Sequence, residues 1–296
     1  GVGAERVVRP GRRVSPHPRA DVTTGTFPIP ASRESVPMRI WQRYANGVLN
    51  TLRGLGDRTF FAADMFRALS EPKTYGPEII KQMKAVGVDS IPLVILVSAF
   101  IGSVISFQSR YQLFPGIQLS VVGLITRQSL VLELGPLLTG LVLAGRVGAQ
   151  MTAEIGTMRV TEQIDALETL AYDPLAYLVV PRVIAGLFML PVLVIFANAV
   201  GIGAAYITAI LGTDIKWFDF RDGLRLEFNT FQVFYSLIKS FMFGGAISFL
   251  CSYEGYVTSA GAEGVGKSTA KAVVITSVWI LVLDALTAAA LAKYLQ

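Results

Sequence analysis

The sequence has almost none of the residues on which most enzyme sites depend. It contains one cysteine, Cys251, and one histidine, His17. A disulfide framework, a Cys/His metal cluster, a Ser-His-Asp triad and a Cys-His dyad each need more of these residues than the chain holds. We therefore expect no catalytic residue, no metal site and no cofactor in this chain.

Charged residues are also scarce, at 16% of the chain against about 25% in ordinary soluble domains. Hydrophobic residues make up 52% of the chain, and its mean hydropathy is +0.54. So few charges cannot cover the surface of a globule in water, and the chain is therefore predicted to lie in a lipid bilayer. The charge is uneven, because residues 1–84 carry a net charge of +7 and residues 85–296 carry −2.

Residues 1–37 combine arginine, serine, threonine and glycine with six prolines. Such a composition cannot bury enough apolar surface to offset chain entropy, so the segment is predicted to be a disordered tail. An arginine-rich tail is able to bind nucleic acid, but this one lacks interleaved aromatic residues. We therefore expect the tail to lie near anionic lipid, and we expect no nucleic-acid partner.

Residues 38–90 are predicted to form helices at and beside the membrane surface. Apolar residues recur there at three- and four-residue steps, and arginines lie off this stripe. The stripe consists of Trp41, Tyr44, Val48, Leu52 and Leu55. The pattern is typical of a helix in the membrane interface, although an amphipathic helix packed on protein has the same pattern. Gly76 and Pro77 are expected to break the chain before another short helical stretch.

Residues 91–296 contain five apolar runs long enough to span a bilayer. They are residues 91–107, 121–145, 175–211, 231–251 and 272–291. The predicted fold is therefore all-α, a polytopic membrane protein with an N-terminal interfacial amphipathic helix and five transmembrane helices. The positive charge of residues 1–84 is expected to keep the N-terminus in the cytoplasm. Five crossings then place Gln296 outside. The basic loop of residues 212–230 falls outside in this scheme, against the same rule.

Small residues recur at four-residue steps in the second predicted span. They are Gly140, Ala144 and Gly148. Such a ladder permits another helix to approach closely, so we expect a packing surface there.

The loop of residues 146–174 is cytoplasmic in this topology and is predicted to contain an amphipathic helix. Apolar residues recur close to helical spacing over residues 154–170, and acidic residues lie beside them. The apolar residues are Ile155, Met158, Ile164, Leu167 and Leu170, and the acidic ones are Glu154, Glu162, Asp165 and Glu168. Such a helix suits the groove of a partner protein; alternatively, it lies on the protein's own cytoplasmic surface.

Residues 261–268 match the phosphate-binding pattern GxxxxGKS completely. A working site of this kind needs a buried strand before the loop and a parallel sheet behind it. Here an apolar run and a polar stretch precede the match, and another apolar run follows it. We therefore interpret the glycines as a tight cytoplasmic turn, and Lys267 and Lys271 as cytoplasmic anchors of the last span.

Three ionisable residues within the predicted spans are candidates for a functional site: Glu133, Lys239 and Asp284. Glu133 lies about 18 Å along its helix from Val121, which is close to mid-membrane. Ionisable groups at this depth normally face a cavity or an opposite charge. The three residues therefore form either a structural ion pair between helices or part of a substrate pathway. A proton relay is less attractive because the spans contain no histidine.

Several short motifs follow one another from the second span to the third. They are Glu133-Leu-Gly-Pro136, Ala144-Gly-Arg-Val-Gly-Ala149, Ala153-Glu-Ile-Gly-Thr-Met158, Thr161-Glu-Gln-Ile-Asp165, Asp173-Pro174 and Pro181-Arg182. In this order and spacing they resemble the MlaE/YrbE family, the permease subunits of lipid-transporting ABC systems. The resemblance continues through residues 238–240 and 261–274, and it covers roughly residues 78–292.

The resemblance implies a homodimer of five-span subunits that moves glycerophospholipid between inner and outer membranes. It also implies three partners: an ABC ATPase, an MCE-domain lipid-binding protein on the outer side, and a STAS-domain protein beside the ATPase. The ATPase is expected to dock on residues 154–170. The residues expected at this contact are Glu154, Met158, Glu162, Asp165 and Leu167. The expected location is a bacterial inner membrane, with the chloroplast inner envelope as the alternative.

By the same resemblance, Glu133 lines a lipid cavity at the dimer centre, and Lys239 belongs to the same site. The first span is expected to supply apolar wall residues. They are Ile101, Val104, Ile105 and Phe107. Many relatives carry a basic residue directly before the glutamate, whereas this chain has Leu132 there and Arg127 as the nearest substitute. We expect Glu133 to face the cavity rather than a closed ion pair, because no other charge lies within five residues of it.

The sequence thus predicts a permease that performs no covalent chemistry and moves a lipid when a partner hydrolyses ATP. One alternative is an ion-coupled secondary transporter that uses Glu133 or Asp284, although such proteins more often contain inverted repeats. Another is an intramembrane enzyme, for which the chain offers too few converging nucleophiles, bases or metal ligands.

Overall fold

The structure, a computed structural model, describes residues 54, 56–69, 72–259 and 261–291. In this part of the chain every regular element is a helix, and five helices are long and apolar enough to cross a membrane. They are Gly76–Gln112, Ser120–Val160, Leu175–Gly212, Thr230–Tyr256 and Ala262–Leu291. The prediction of an all-α, five-span protein is therefore confirmed. The predicted tail and the apolar stripe from Trp41 to Leu55 lie outside the described residues.

The helices are numbered in chain order, beginning with α1 at residues 56–68. The first two spans are built from α2 (Pro72–Val86), α3 (Ile91–Gln112), α4 (Ser120–Gln128), α5 (Gly135–Leu143) and α6 (Ala149–Val160). The remaining helices are α7 (Gln163–Thr169), α8 (Val180–Gly212), α9 (Trp217–Arg225), α10 (Thr230–Tyr256) and α11 (Ala262–Leu291). A 3₁₀ turn (Val88–Ser90) joins α2 to α3.

The expected break at Gly76 and Pro77 is wrong, because α2 runs through both residues. A proline in the early part of a helix removes a single backbone hydrogen bond and has a φ value that a helix accepts. The helix therefore continues, and α2 leads through the 3₁₀ turn directly into the first span.

Short π-helical segments interrupt the second span at two places and begin the third span. Their bounds are Ser129–Leu134, Ala144–Gly148 and Leu175–Val179. A π-turn inserts an extra residue into a helix and so rotates the side chains on either side relative to each other. Glu133 lies in the first of these segments. Arg146 lies in the second, where its Nη1 donates a hydrogen bond of 2.6 Å to the hydroxyl of Ser90.

Neighbouring spans approach most closely where glycines face each other. A Cβ atom on Gly102 of α3 would lie 2.0 Å from the carbonyl oxygen of Gly201 in α8. A Cβ atom on Gly244 of α10 would lie 2.2 Å from the carbonyl oxygen of Gly186, also in α8. No side chain fits in such gaps. At these glycines the backbone of α8 therefore lies directly against the backbones of α3 and α10.

The predicted ladder of small residues in the second span packs against α10. Gly140 faces the ring of Phe243, and Gly148 faces the sulfur of Cys251. Ala144, between them, is fully buried. The expectation of a close helix contact on this face is therefore confirmed.

A bidentate ion pair joins the end of α3 to the loop after α8. Arg110 donates from Nε and Nη2 to the two carboxylate oxygens of Asp214, at 2.7 and 2.8 Å. The hydrogen bonds from Arg110 hold the pKa of Asp214 at about 2. The contribution of this pair to stability is therefore present at neutral pH and is lost only as the pH falls through about 2.

The GxxxxGKS match lies in helix rather than in a loop after a strand. Gly261 occupies a bend with a φ of +91°, and α11 begins at the next residue. The expectation of a tight turn is therefore correct for Gly261 alone, because the rest of the match forms the first turns of α11. Among the described residues, no strand or sheet lies behind the match.

We expect Lys267→Ala to leave nucleotide binding by the purified protein, with any partner that co-purifies, unchanged. The physical reason is that a lysine in an exposed helical turn, paired with Glu263 at 2.7 Å, has no phosphate cradle beside it. Binding of a photoreactive ATP analogue, followed by identification of the labelled subunit, measures this. Specific labelling of this chain at Lys267 would contradict the prediction.

Candidate functional site

The three ionisable residues predicted from the spans meet in one cluster. The ammonium nitrogen of Lys239 on α10 lies 2.7 Å from Oε2 of Glu133 and 2.7 Å from Oδ1 of Asp284. Glu133 comes from the π-helical segment of the second span, and Asp284 comes from α11. One cation therefore joins two carboxylates from the second and fifth spans, and we call these three residues the ionic cluster.

The three side chains of the ionic cluster differ sharply in exposure. The Lys239 side chain is fully buried and the Asp284 side chain is 12% exposed, whereas the Glu133 side chain is 43% exposed. Lys239 also donates to the carbonyl oxygen of Leu132 at 3.4 Å, and its ammonium lies 4.9 Å from the ring centre of Tyr235. The cluster therefore presents one group outward, which is the carboxylate of Glu133.

Two sequence-based expectations need correction here. The expectation that Glu133 faces a cavity rather than a closed ion pair needs correction in one respect, because Glu133 pairs with Lys239 while 43% of its side chain is exposed. That expectation rested on neighbours in sequence, whereas the partner is 106 residues away. Lys239 lines no open surface of this chain, because it lies wholly beneath the two carboxylates.

Arg127, the basic residue nearest to Glu133 in sequence, is not part of the ionic cluster. Its guanidinium donates to the side chain of Gln232 and, at 2.8 Å, to the carbonyl oxygen of Leu226. It also lies 5.4 Å from the ring centre of Phe228. Only 4% of the Arg127 surface is exposed. Its hydrogen bonds fix the start of α10 and the residues before it. The cation that pairs with Glu133 is Lys239 and not Arg127.

The apolar wall expected from α3 divides into two parts. Ile101 is half-buried and lines a void of about 10 Å³ with Leu130 and Leu134, which flank Glu133. Val104 and Phe107 are exposed, and Ile105 is half-buried. A void of about 10 Å³ is far smaller than the several hundred Å³ of ordinary ligand pockets, so it cannot hold a lipid.

The chain also has a larger groove, and Glu133, Lys239 and Asp284 are not among its lining residues. It has a volume of about 570 Å³ and is lined by α1, α8, α10 and α11. Its lining is apolar apart from Arg58 and Thr59 at one end. The sequence analysis did not predict it, because the groove depends on how four helices separated in sequence come together.

The cytoplasmic helix expected over residues 154–170 is broken into α6 and α7. The break is at Thr161 and Glu162, and Glu162 has a left-handed φ of 60°. Beside the break, Asp165 pairs with Arg159 at 2.7 Å. The prediction of one continuous helix is therefore wrong. Hydrophobic spacing alone does not reveal that a single residue has a left-handed backbone conformation.

Two of the apolar residues expected to contact a partner pack inward instead. Met158 and Leu167 lie against a buried cluster formed by Ile155, Ile164 and Leu178. The expected acidic residues Glu154, Glu162 and Asp165 are exposed.

The exposed apolar residues at this end are Leu170 and Tyr172, which are 68% and 53% exposed. They follow α7, which ends at Thr169. Helical spacing included Leu170 in the predicted apolar stripe but gave no signal for Tyr172. The outward apolar surface of this region is therefore the end of the α7 segment.

A second buried carboxylate, Glu254, was not predicted. It is 1% exposed, and it pairs with Arg58 of α1 at 2.7 Å and with Lys271 of α11 at 2.8 Å. It lies in the last turn of α10, where no pattern in the sequence distinguishes it from an ordinary surface charge. The two ion pairs tie α1 and α11 to the end of the fourth span.

Removal of the shared cation is expected to cost far more stability than removal of the exposed carboxylate. Lys239→Met leaves two carboxylates in the membrane interior without their cation, which typically costs about 3–5 kcal/mol. Glu133→Gln is expected to cost much less, since Asp284 still pairs with Lys239. Thermal unfolding of the purified variants in one detergent measures the difference.

The control is the triple variant Lys239→Met, Glu133→Gln, Asp284→Asn. It removes all three charges and is expected to recover most of the loss caused by Lys239→Met, since no unpaired charge remains buried. Equal losses from Lys239→Met and Glu133→Gln would contradict the proposed arrangement.

Comparison with known proteins supports one family over most of the chain. The MlaE permease family matches residues 79–290. A probable ABC transporter permease protein of Rickettsia bellii is 37% identical over 230 residues, which cover 78% of this chain and 89% of that protein.

Two further relatives extend the range of organisms. The intermembrane phospholipid transport system permease protein MlaE of Haemophilus influenzae is 32% identical over 80% of this chain and 91% of its own length. The chloroplastic protein TRIGALACTOSYLDIACYLGLYCEROL 1 of Arabidopsis thaliana is 34% identical over 72% of this chain and 61% of its own length. Because the family match covers most of the chain and relatives above 30% identity span it, this five-span membrane protein belongs to the MlaE permease family.

Proposed function

We propose that this chain is the membrane subunit of an ABC transporter that moves glycerophospholipid between two membranes. The observation that carries the proposal is Glu133, a partly exposed carboxylate near the middle of a span and beside apolar residues. Such a surface holds an amphiphile, with its tails on the apolar wall and its headgroup at the charge. The name of the Haemophilus relative, which specifies intermembrane phospholipid transport, supports this cargo. The proposed location is a bacterial inner membrane.

The lipid cavity requires a second copy of the chain. The void lined by Ile101, Leu130 and Leu134 has a volume of only about 10 Å³, whereas the neighbouring face of α3 is exposed at Phe100, Val104 and Phe107. Two copies that face each other across this surface enclose a cavity with apolar walls and one Glu133 from each copy. A homodimer therefore supplies the volume that one subunit lacks.

A separate ATPase is proposed to dock on the segment of α6 and α7. Acidic residues of this segment, including Glu162, Asp165 and Glu168, are exposed, and Leu170 and Tyr172 add an apolar contact. An apolar centre with a charged rim is a usual composition for a protein interface. In this proposal the partner hydrolyses ATP and this chain performs no covalent chemistry.

Two further partners complete the proposal. An MCE-domain lipid-binding protein on the outer side receives or delivers the lipid, and a STAS-domain protein lies beside the ATPase. Both partners are proposed from the resemblance of the motifs to the MlaE/YrbE family.

The double variant Leu170→Ala, Tyr172→Ala is expected to weaken binding of the ATPase at least about tenfold, since truncation of a central apolar or aromatic residue commonly costs more than 1 kcal/mol. Co-purification of the ATPase with the tagged permease measures this. The matched control is Phe218→Ala, Leu226→Ala, which also truncates two exposed apolar residues but in and after α9, between the third and fourth spans.

The outcome of a third variant separates docking from folding. Met158→Ala, Leu167→Ala is expected to lower thermal stability, because both side chains pack inside the chain. Stoichiometric retention of the ATPase by the Leu170, Tyr172 variant, with normal lipid transport, would place the docking surface elsewhere.

Glu133→Gln is expected to slow ATP-dependent lipid transfer while it leaves complex assembly intact. The variant removes the one charge that the cluster presents outward, and Lys239 keeps its pair with Asp284. Transfer of a fluorescent phospholipid between vesicles that carry the reconstituted complex measures the rate. Glu263→Gln, which removes an exposed carboxylate at the start of α11, is the control.

The same assay distinguishes the proposal from ion-coupled transport. An ABC system requires ATP and its ATPase subunit, whereas a secondary transporter responds to an ion gradient in their absence. Lipid transfer driven by a proton gradient in vesicles without the ATPase would contradict the proposed function.

A further inference from the structure

The ionic cluster carries more negative than positive charge. It contains two carboxylates, Glu133 and Asp284, around the single ammonium group of Lys239. The ammonium lies 2.7 Å from a carboxylate oxygen of each acidic residue, and it also donates to the carbonyl of Leu132. With its ionisable groups charged, the cluster has a formal charge of −1.

The cations nearest to Glu133 are not accessible to a ligand. Lys239 is fully buried beneath the carboxylates. Arg127, six residues before Glu133 and so about 9 Å away along the helix, is 4% exposed and bonded to Gln232 and to the carbonyl of Leu226. A phosphate that enters the site therefore meets an exposed carboxylate, and neither cation is free to bind it.

We propose that Glu133 binds the ammonium group of an ethanolamine headgroup, so that the transporter selects zwitterionic aminophospholipids over anionic phospholipids. The inference rests on the proposed function, since it concerns the headgroup of the lipid in that site. A primary ammonium supplies three N–H donors to a carboxylate, and the bond is charge-assisted. In the low dielectric of a membrane interior such a bond is stronger than in water, and so is the repulsion between a carboxylate and an uncompensated phosphate.

This chemistry predicts an order among headgroups that share the same acyl chains. Ethanolamine is favoured, because it brings both a positive charge and hydrogen-bond donors. Choline follows, because its quaternary ammonium has the charge but no N–H group. Glycerol is disfavoured, because it leaves the lipid with the net negative charge of its phosphate next to Glu133.

The test uses the complete complex reconstituted in vesicles, with ATP-dependent transfer of phospholipids that carry identical fluorescent acyl chains. The probes have ethanolamine, choline, glycerol or N-acetylated ethanolamine as the headgroup. The N-acetylated lipid keeps the ethanolamine skeleton but replaces the ammonium with a neutral amide. We expect transfer of the ethanolamine lipid to be fastest and a marked loss for both the glycerol and the N-acetylated lipids.

Variants of Glu133 assign the preference to its carboxylate. Glu133→Gln is expected to bring the ethanolamine and glycerol rates together, whereas Glu133→Asp retains the charge and is expected to keep the order. Glu263→Gln, which removes an exposed carboxylate at the start of α11, is expected to keep the wild-type order. If the Gln variant fails to assemble, the four lipids compared on the wild-type complex still test the inference.

The outcomes separate the inference from the proposed function. If all four lipids are transferred at equal rates, or the glycerol lipid is the fastest, the headgroup inference is wrong and phospholipid transport stands. If Glu133→Gln keeps the full ethanolamine preference, another group selects the headgroup and the inference is also wrong. If none of the lipids is transferred in an ATP-dependent manner, the proposed function itself fails.

Discussion

The sharing of one buried ammonium group between two carboxylates is the constraint on which the arrangement of the spans depends. Lys239 has no exposed surface, and a charge at such a position is tolerated only when opposite charges and acceptors surround it. Glu133, Asp284 and the carbonyl of Leu132 provide this environment from the second and fifth spans. The second, fourth and fifth spans must therefore keep one relative register, since a shift of one helical turn separates the charges.

The local geometry of the second span sets the position of Glu133 on its helix surface. A π-helical segment at Ser129–Leu134 rotates the side chains that follow it. Beyond it, Gly140 and Gly148 permit close contact with α10, the helix that carries Lys239. The carboxylate is therefore brought to the ammonium by a helix irregularity and by a glycine contact surface acting together.

The second span also links the ionic cluster to the α6 and α7 segment. It runs from Ser120 to Val160, and Thr161 and the left-handed residue Glu162 separate it from α7. Arg182 of the third span pairs with Glu154 of α6 at 3.2 Å, which holds this end of the helix against its neighbour. The segment that carries Glu133 and the residues before α7 therefore belong to one span.

Much of the architecture was predictable from the sequence, because the cost of placing a residue in a bilayer is a local property that adds up along the chain. Hydropathy located five spans, the motif series indicated the MlaE family, and the cost of intramembrane charge singled out Glu133, Lys239 and Asp284. The ladder at Gly140 to Gly148 was also correctly interpreted as a packing surface.

Only the tertiary structure decided which charged groups meet and which apolar residues stay outside. Glu133 pairs with a lysine 106 residues away, Arg127 is held by Gln232 and the Leu226 carbonyl, and Met158 packs inward while Leu170 is exposed. These outcomes depend on how each helix is rotated about its own axis. The rotation is determined by π-turns, by a left-handed residue and by contacts between glycines. A periodic pattern predicts side-chain directions only for regular helices. The sequence by itself therefore determined which segments cross the membrane. The packing of irregular helices decided which side chains contact each other and which are exposed.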